Sequence, residues 1–179
     1  MPTISATLRD LESLAGAPCP VEELHQLLEL VKGEFKSHDP ATDELRIELN
    51  DTNRPDLWSI EGIARQLRTK RTGVCPDYPF FAASDPSFEI RVDESVAAVR
   101  PFVGGFVAED LLVTDSLLRG LIEVQEKLCE SFGQRRRSIA IGIYQAAAIS
   151  FPVSYRAVSP GSIRFVPLGM DVELDLAEI

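Results

Sequence analysis

The sequence predicts an α+β protein: a small N-terminal α+β domain, followed by a mixed or antiparallel sheet packed on one long helix. Three observations lead there. Residues Glu44 to Leu49 alternate, with Leu45, Ile47 and Leu49 on one side, which is the period of a half-buried strand. Leu117, Leu118, Leu121, Ile122, Val124, Leu128 and Phe132 recur at intervals of three and four, which predicts a helix over Asp115 to Phe132. Between these segments Gly73, Pro76, Pro79 and Pro86 punctuate residues 73 to 87 and divide the chain into domains at 1–78 and 86–179, joined by a linker at 79–85.

In chain order, Thr3 to Leu8 reads as a short strand. Arg9 to Leu14 and Val21 to Phe35 carry helical spacing, the second with Leu24, Leu27, Leu28 and Val31 on one face, and Pro18 and Pro20 punctuate the join. Asp39-Pro40-Ala41-Thr42-Asp43 is a turn into the alternating strand. That strand runs into Asn50 to Asp56, after which the helical period returns from Leu57 to Leu67, with Leu57, Ile60, Ala64 and Leu67 inward. The second half opens with the alternation Phe88, Ile90, Val92. Arg100 to Ala108 then predicts a strand carrying the pair Gly104-Gly105, and adjacent glycines in a strand mark a bulge or a close backbone approach, in some cases to a ligand. Thr114 and Asp115 start the long helix and Gly133 stops it. Ile139–Ile143, Val153–Val158, Ser162–Val166 and Val172–Leu176 read as four further short strands.

Composition limits the function. With 179 residues, 45% of them hydrophobic, the chain has enough apolar side chains for a packed core. Its net charge is −10, and the two halves split at residue 80 are equally acidic. Because non-specific nucleic-acid affinity comes from neutralising phosphates, such a chain is not expected to bind DNA, or to hold RNA tightly by itself. No apolar run reaches the roughly eighteen residues of a spanning helix and no charged leader precedes one, so the expectation is a cytoplasmic protein with no membrane partner. Cys19, Cys75 and Cys129 are far apart, as are His25 and His38 from any of the close pairs a zinc site needs; no metal and no disulfide are expected.

No phosphate-binding glycine loop, nucleophile elbow or paired-histidine motif is present, so unaided catalysis is not expected, and no catalytic residue stands out among twenty-eight carboxylates. Three segments carry chemistry. In Asn53-Arg54-Pro55-Asp56-Leu57 the proline fixes a rigid corner, with Asp56 placed to cap the next helix. Arg54 is there either paired to a nearby carboxylate or a contact for RNA phosphate or a subunit. Gly133-Gln134-Arg135-Arg136-Arg137 is a dense basic cluster at the end of the long helix. It either complements the helix dipole or attracts phosphate or an acidic partner. Tyr155-Arg156 and Arg164-Phe165 flank the turn Ser159-Pro160-Gly161 and are either strand core or the edge of a substrate pocket, to which Gly104 and Gly105 also stand as contributors.

Together these segments resemble the N-terminal region of the archaeal and eukaryotic type of phenylalanyl-tRNA synthetase beta subunit, from Met1-Pro2-Thr3 through the whole chain. The anchors are Asn53 to Leu57 with Ser59 to Arg65, then Arg100-Pro101-Phe102, Gln125 to Leu128, Gly133 with its arginines, Ile139 to Gly142, Tyr155 to Val158 and Phe165 to Gly169. The resemblance implies that 86–179 is a partial editing-type domain, the start of the module that hydrolyses tyrosine wrongly attached to tRNA(Phe). It also implies that aminoacylation, with ATP and Mg2+, belongs to the alpha subunit, so that this chain needs no cofactor of its own. The implied partners are that alpha subunit, the remaining beta domains and tRNA(Phe). Two positions depart from the family: Cys129 stands where relatives read His, and Tyr144-Gln145 where they read His-Asp. The sequence stops soon after Gly169, before the later part of the module, so the expectation is an open pocket and little hydrolysis by the chain alone. Two forms fit: a fragment or shortened form of the synthetase subunit, or a free-standing divergent paralogue that edits or binds aminoacyl-tRNA.

Overall fold

The computed structural model describes residues 2–50, 53–78 and 85–179. The predicted linker, apart from residue 85, lies outside the described residues, as do Asp51 and Thr52 of the corner segment. The class is α+β. The backbone divides into two units, one built from Met1–Tyr78 with Leu111–Ile143, the other from Pro79–Asp110 with Tyr144–Ile179.

The first unit is organised by a three-stranded antiparallel sheet in the order β1 (Thr3–Thr7), β3 (Glu44–Leu49), β2 (Gly33–Asp39). Ile47 stands opposite both Ile4 and Phe35, so the alternation of β3 puts Leu45, Ile47 and Leu49 into the core while Arg46 faces out. Two helices cover that face. In α1 (Leu8–Ala15) the Thr7 hydroxyl accepts the Asp10 N–H at 3.0 Å, and Gly16, at φ 69°, closes the other end by donating to Glu12 O. In α3 (Ile60–Thr72) the Ser59 hydroxyl accepts the Gly62 N–H at 3.1 Å and Gly73 closes the last turn onto Thr69 O. Leu11, Ile63 and Leu67 meet the sheet between them, each worth about 1.5–3 kcal/mol of apolar burial.

Several sequence-level elements are corrected here. The helix expected over Val21–Phe35 shrinks to a short 3-10 turn and α2 (Leu24–Glu29), because Lys32 turns left-handed at φ 51° and the chain then enters β2, with Gly33 opposite Leu49 and Phe35 opposite Ile47. The helix expected from Leu57 begins at Ile60, capped by Ser59 rather than Asp56; Pro55–Leu57 form a 3-10 turn. The long helix, α4 (Asp115–Lys127), continues through a π turn over Leu128–Phe132 to Gly133, and Thr114 caps it by accepting the Leu117 N–H at 3.2 Å. Residues 111–143, expected within a second domain, belong to the first unit. The ties are specific: Glu123 on α4 accepts the edge Ser5 N–H of β1 at 3.1 Å, Ser116 donates to Asp10 at 2.9 Å, and the Trp58 and Phe132 rings meet edge-on at 6.4 Å.

In the second unit, β4 (Ile90–Val92) pairs in parallel with β5 (Val153–Tyr155), and β6 (Arg164–Phe165) pairs antiparallel with β7 (Leu174–Asp175). Phe88 and Phe151 meet edge-to-face at 5.1 Å. The expected strands Arg100–Ala108 and Ile139–Ile143 do not form, since neither pairs with a neighbouring backbone; an alternating or apolar run becomes a strand only when a ladder accepts it. Instead, Ile141 O accepts the Gln125 side-chain amide at 2.7 Å.

Candidate functional site

The corner between β3 and α3 is held by a carboxylate clamp. Pro55 sits at the first position of its 3-10 turn, and Arg54 precedes it at φ −123° and ψ 68°, outside the helical region. From there the Arg54 guanidinium grips Asp56 with two hydrogen bonds of 2.8 Å, and Arg65, one helical face away on α3, adds a third of 2.8 Å. The Arg54 bonds, then the nearby Arg54 and Arg65 charges, hold the Asp56 carboxyl below the ordinary carboxylate range. Gly62 makes the corner possible: a Cβ there would lie 1.9 Å from Asp56 O.

Trp58, at the end of this corner, packs against Phe132, at the end of α4, so the first unit brings two of the predicted basic segments to neighbouring elements. The second is an unusual turn. Gln134, Arg135 and Arg136 all adopt the left-handed conformation, at φ 51°, 58° and 64°. Each non-glycine residue held this way costs on the order of 1 kcal/mol. The turn is secured by the carbonyls that the helix end leaves open: Arg136 N–H donates to Cys129 O at 2.9 Å and Arg135 N–H to Glu130 O at 3.0 Å. Gly133 has no room for a side chain, since a Cβ would stand 2.5 Å from Cys129 O. Arg135, Arg136 and Arg137 are all exposed, and Arg136 lies 3.7 Å from Glu130.

The sequence reading missed a third basic element. Arg65, Arg68, Lys70 and Arg71 crowd the last half of α3, where Lys70 and Arg71 complement the helix dipole and Arg71 donates to Ala15 O of α1. A cavity of about 370 Å³ beside this helix is lined by Leu14, Glu61, Arg65, Arg68, Val74 and Tyr78, among others. The signal was available as cations at i, i+3 and i+6 (Arg65, Arg68 and Arg71), the last two beyond Leu67, where the expected helix ended.

The remaining predicted residues lie in the second unit. Tyr155, on β5, donates its hydroxyl to Arg100 O at 3.1 Å, which makes it a brace for that segment. Arg156 is exposed, and its charge adds to the Ser95 hydrogen bonds that lower the Asp93 carboxyl. Nothing lies within 4 Å of where a Gly104 Cβ would stand, whereas a Cβ on Gly105 would stand 3.3 Å from the Ile90 side chain. Arg54 and Arg135 to Arg137 thus share one unit, and Tyr155, Arg156, Gly104 and Gly105 the other. All three cysteines are free; burial, then Glu12, pushes the Cys19 thiol up. Among the described residues no three His, Cys, Asp or Glu side chains converge as a metal would require, and no helix is long and apolar enough to cross a membrane.

No protein-family model matches the chain. Its fold is shared with the crystal structure of an N-terminal fragment of the phenylalanyl-tRNA synthetase beta subunit from Pyrococcus horikoshii, at TM-score 0.84 and 32% identity, over 99% of this chain and 51% of that one. The chain is therefore related to a subunit of an aminoacyl-tRNA synthetase. The particular subunit is the beta subunit of phenylalanine–tRNA ligase, and the resemblance drawn from the residues holds. The protein of that name from Borrelia garinii subsp. bavariensis is 48% identical over 161 residues, 88% of this chain. That from Borrelia turicatae is 41% identical over 183 aligned positions, covering 100% of this chain. The chain spans 28% and 32% of the length of these two relatives.

Proposed function

We propose that this polypeptide works as the N-terminal part of a phenylalanine–tRNA ligase beta subunit, contributing surface to a larger assembly and to its editing module, with little activity alone. Its partners in this reading are an alpha-type subunit, which supplies ATP- and Mg2+-dependent aminoacylation, the remaining beta domains, and tRNA(Phe). The observation that carries the reading is the shared fold along nearly the whole chain with a beta-subunit fragment.

Within that reading, Arg135, Arg136 and Arg137 are the phosphate contacts. They stand exposed on a turn whose backbone is held in the left-handed conformation at Gln134, Arg135 and Arg136. Arg54 is committed to Asp56 and acts by stiffening the corner next to them. Because the whole chain is acidic, these arginines direct an RNA already held by partners; they do not capture it unaided. Tyr155 and Arg156, with Gly104 and Gly105, belong to the editing side of the module, where Tyr155 braces the segment carrying the glycines.

Two measurements test this reading. Co-purification of the chain with the alpha-type subunit and the remaining beta polypeptide of the same organism is the expected outcome. Deacylation of Tyr-tRNA(Phe) by the chain alone is expected to remain at background; robust turnover, or a chain that meets no synthetase partner, overturns the proposal.

A further inference from the structure

The cavity beside α3 is a groove with charged side chains along one wall and apolar ones along the other. Glu61, Arg65, Arg68 and Thr72 line it at intervals of four, three and four, which places them on one stripe of the helix. Gly73, at φ 69°, ends α3, and the chain beyond it presents Val74, Pro76 and Tyr78 to the same cavity, while Cys75 and Asp77 do not line it. That period of two is the alternation of an extended backbone. Leu14 of α1 adds to this wall; it is 41% exposed, Val74 66% and Tyr78 39%, so the apolar side stands open to solvent. The cations are unequally engaged. Arg65 bonds Asp56 and Arg71 bonds Ala15 O, but Arg68, exposed in the middle of the stripe, has no ion pair and no side-chain hydrogen bond among the described residues. Lys70, likewise without an ion pair among them, adds its charge nearby.

Size and charge together select the occupant. At about 370 Å³ the groove lies at the small end of the range for ligand sites, roughly 300–1,000 Å³, and takes a few side chains. A strand of RNA would bring a charge with every nucleotide to a chain of net charge −10, and would meet the Glu61 carboxylate in the wall itself. A peptide brings a single carboxylate to Arg68, whose planar guanidinium can hold it with two hydrogen bonds, and apolar neighbours to Leu14, Val74 and Tyr78. The main chain at Cys75 and Asp77, which makes no hydrogen bond with a described residue, can pair with a peptide lying extended alongside it. We infer that this groove docks an extended segment of a partner protein in which one aspartate or glutamate stands between apolar residues, its carboxylate on Arg68 and its neighbours on Leu14, Val74 and Tyr78. The inference uses only side chains of the first unit and does not depend on the beta-subunit reading.

The probe is a short end-blocked peptide with the core Leu-Asp-Leu, labelled with fluorescein and titrated with the 179-residue chain. A saturable rise in fluorescence anisotropy is expected. Arg68→Gln, at an exposed helix position, is expected to leave the circular dichroism spectrum unchanged and to weaken binding at least about tenfold, and Val74→Ser to weaken it about threefold. Asparagine in place of the peptide's aspartate should cost the unsubstituted chain about the same tenfold and cost Arg68→Gln nothing further, because the two groups act on each other. Absence of saturable binding, binding that Arg68→Gln leaves intact, or losses in peptide and protein that simply add each overturn the inference. Displacement of the peptide by a single-stranded RNA of the same length at equal concentration also overturns it and assigns the groove to phosphate. None of these outcomes touches the beta-subunit reading, which co-purification tests separately.

Discussion

Replacing glycine by alanine inside a helix ordinarily stabilises it by up to about 1 kcal/mol, because the unfolded chain loses freedom and the helix loses none. Gly62 and Gly120 should give opposite signs. A Cβ on Gly62 would fall 1.9 Å from Asp56 O and 3.1 Å from Leu57 Cα, both backbone atoms. Ordinary contact distance requires the corner to retreat by roughly 1.5 Å. Overpacking of that kind costs about 1–3 kcal/mol, and a rigid backbone neighbour places it at the upper end, so Gly62→Ala is expected to lose about 2 kcal/mol net. On Gly120 the Cβ meets the end of the Glu61 side chain at 3.0 Å, which can swing aside, so Gly120→Ala is expected to gain about 0.5–1 kcal/mol. Both lie in the same unit, so one set of urea titrations followed by circular dichroism compares them directly. At about 2–4 °C per kcal/mol, thermal midpoints should part by roughly 5–10 °C. A Gly62→Ala protein as stable as Gly120→Ala would refute the tight corner.

The other expectations concern caps, charge and the arginine turn. Thr7→Ala, Ser59→Ala and Thr114→Ala each remove a side-chain cap and should cost about 1 kcal/mol in denaturant titrations. Asp56 has its folded carboxyl held below its unfolded value, so its contribution is complete above the unfolded pKa and fades as pH falls below about 4; Asp56→Asn should flatten that part of a stability-against-pH curve. Arg135→Gly with Arg136→Gly should raise the midpoint of urea unfolding, since glycine meets φ 58° and 64° without strain, while tRNA retention by the assembled enzyme falls and becomes less salt-sensitive in filter binding.

Much of the first unit was legible in the residues because its signals are local. The Leu45–Ile47–Leu49 alternation, the Thr114 cap and the three-and-four repeat of α4 each specify their element within a few positions. Phe35 misled for the same reason: it continues a helical spacing, but pairing opposite Ile47 decides its conformation, and that partner is twelve residues away. Arg100–Ala108 has a strand's pattern without a strand's neighbour, which no periodicity can reveal. Ser59 displaced Asp56 as the cap because Arg54 and Arg65 already engage that carboxylate. Of the candidate site, the residue types were readable and their grouping was not. The contact of Trp58 with Phe132, seventy-four positions apart, is what brings the corner beside the arginine turn.

The interleaving of the two units has a consequence for biosynthesis. The polypeptide passes from one to the other after residues 78, 110 and 143, so neither corresponds to a continuous stretch of message. A nascent chain that has emerged as far as Tyr78 owns its sheet and first helices but lacks the carboxylate of Glu123 that covers the outer strand. Until about forty-five more residues leave the ribosome, that strand edge stays bare, and a chaperone or a neighbouring nascent chain has its opportunity there.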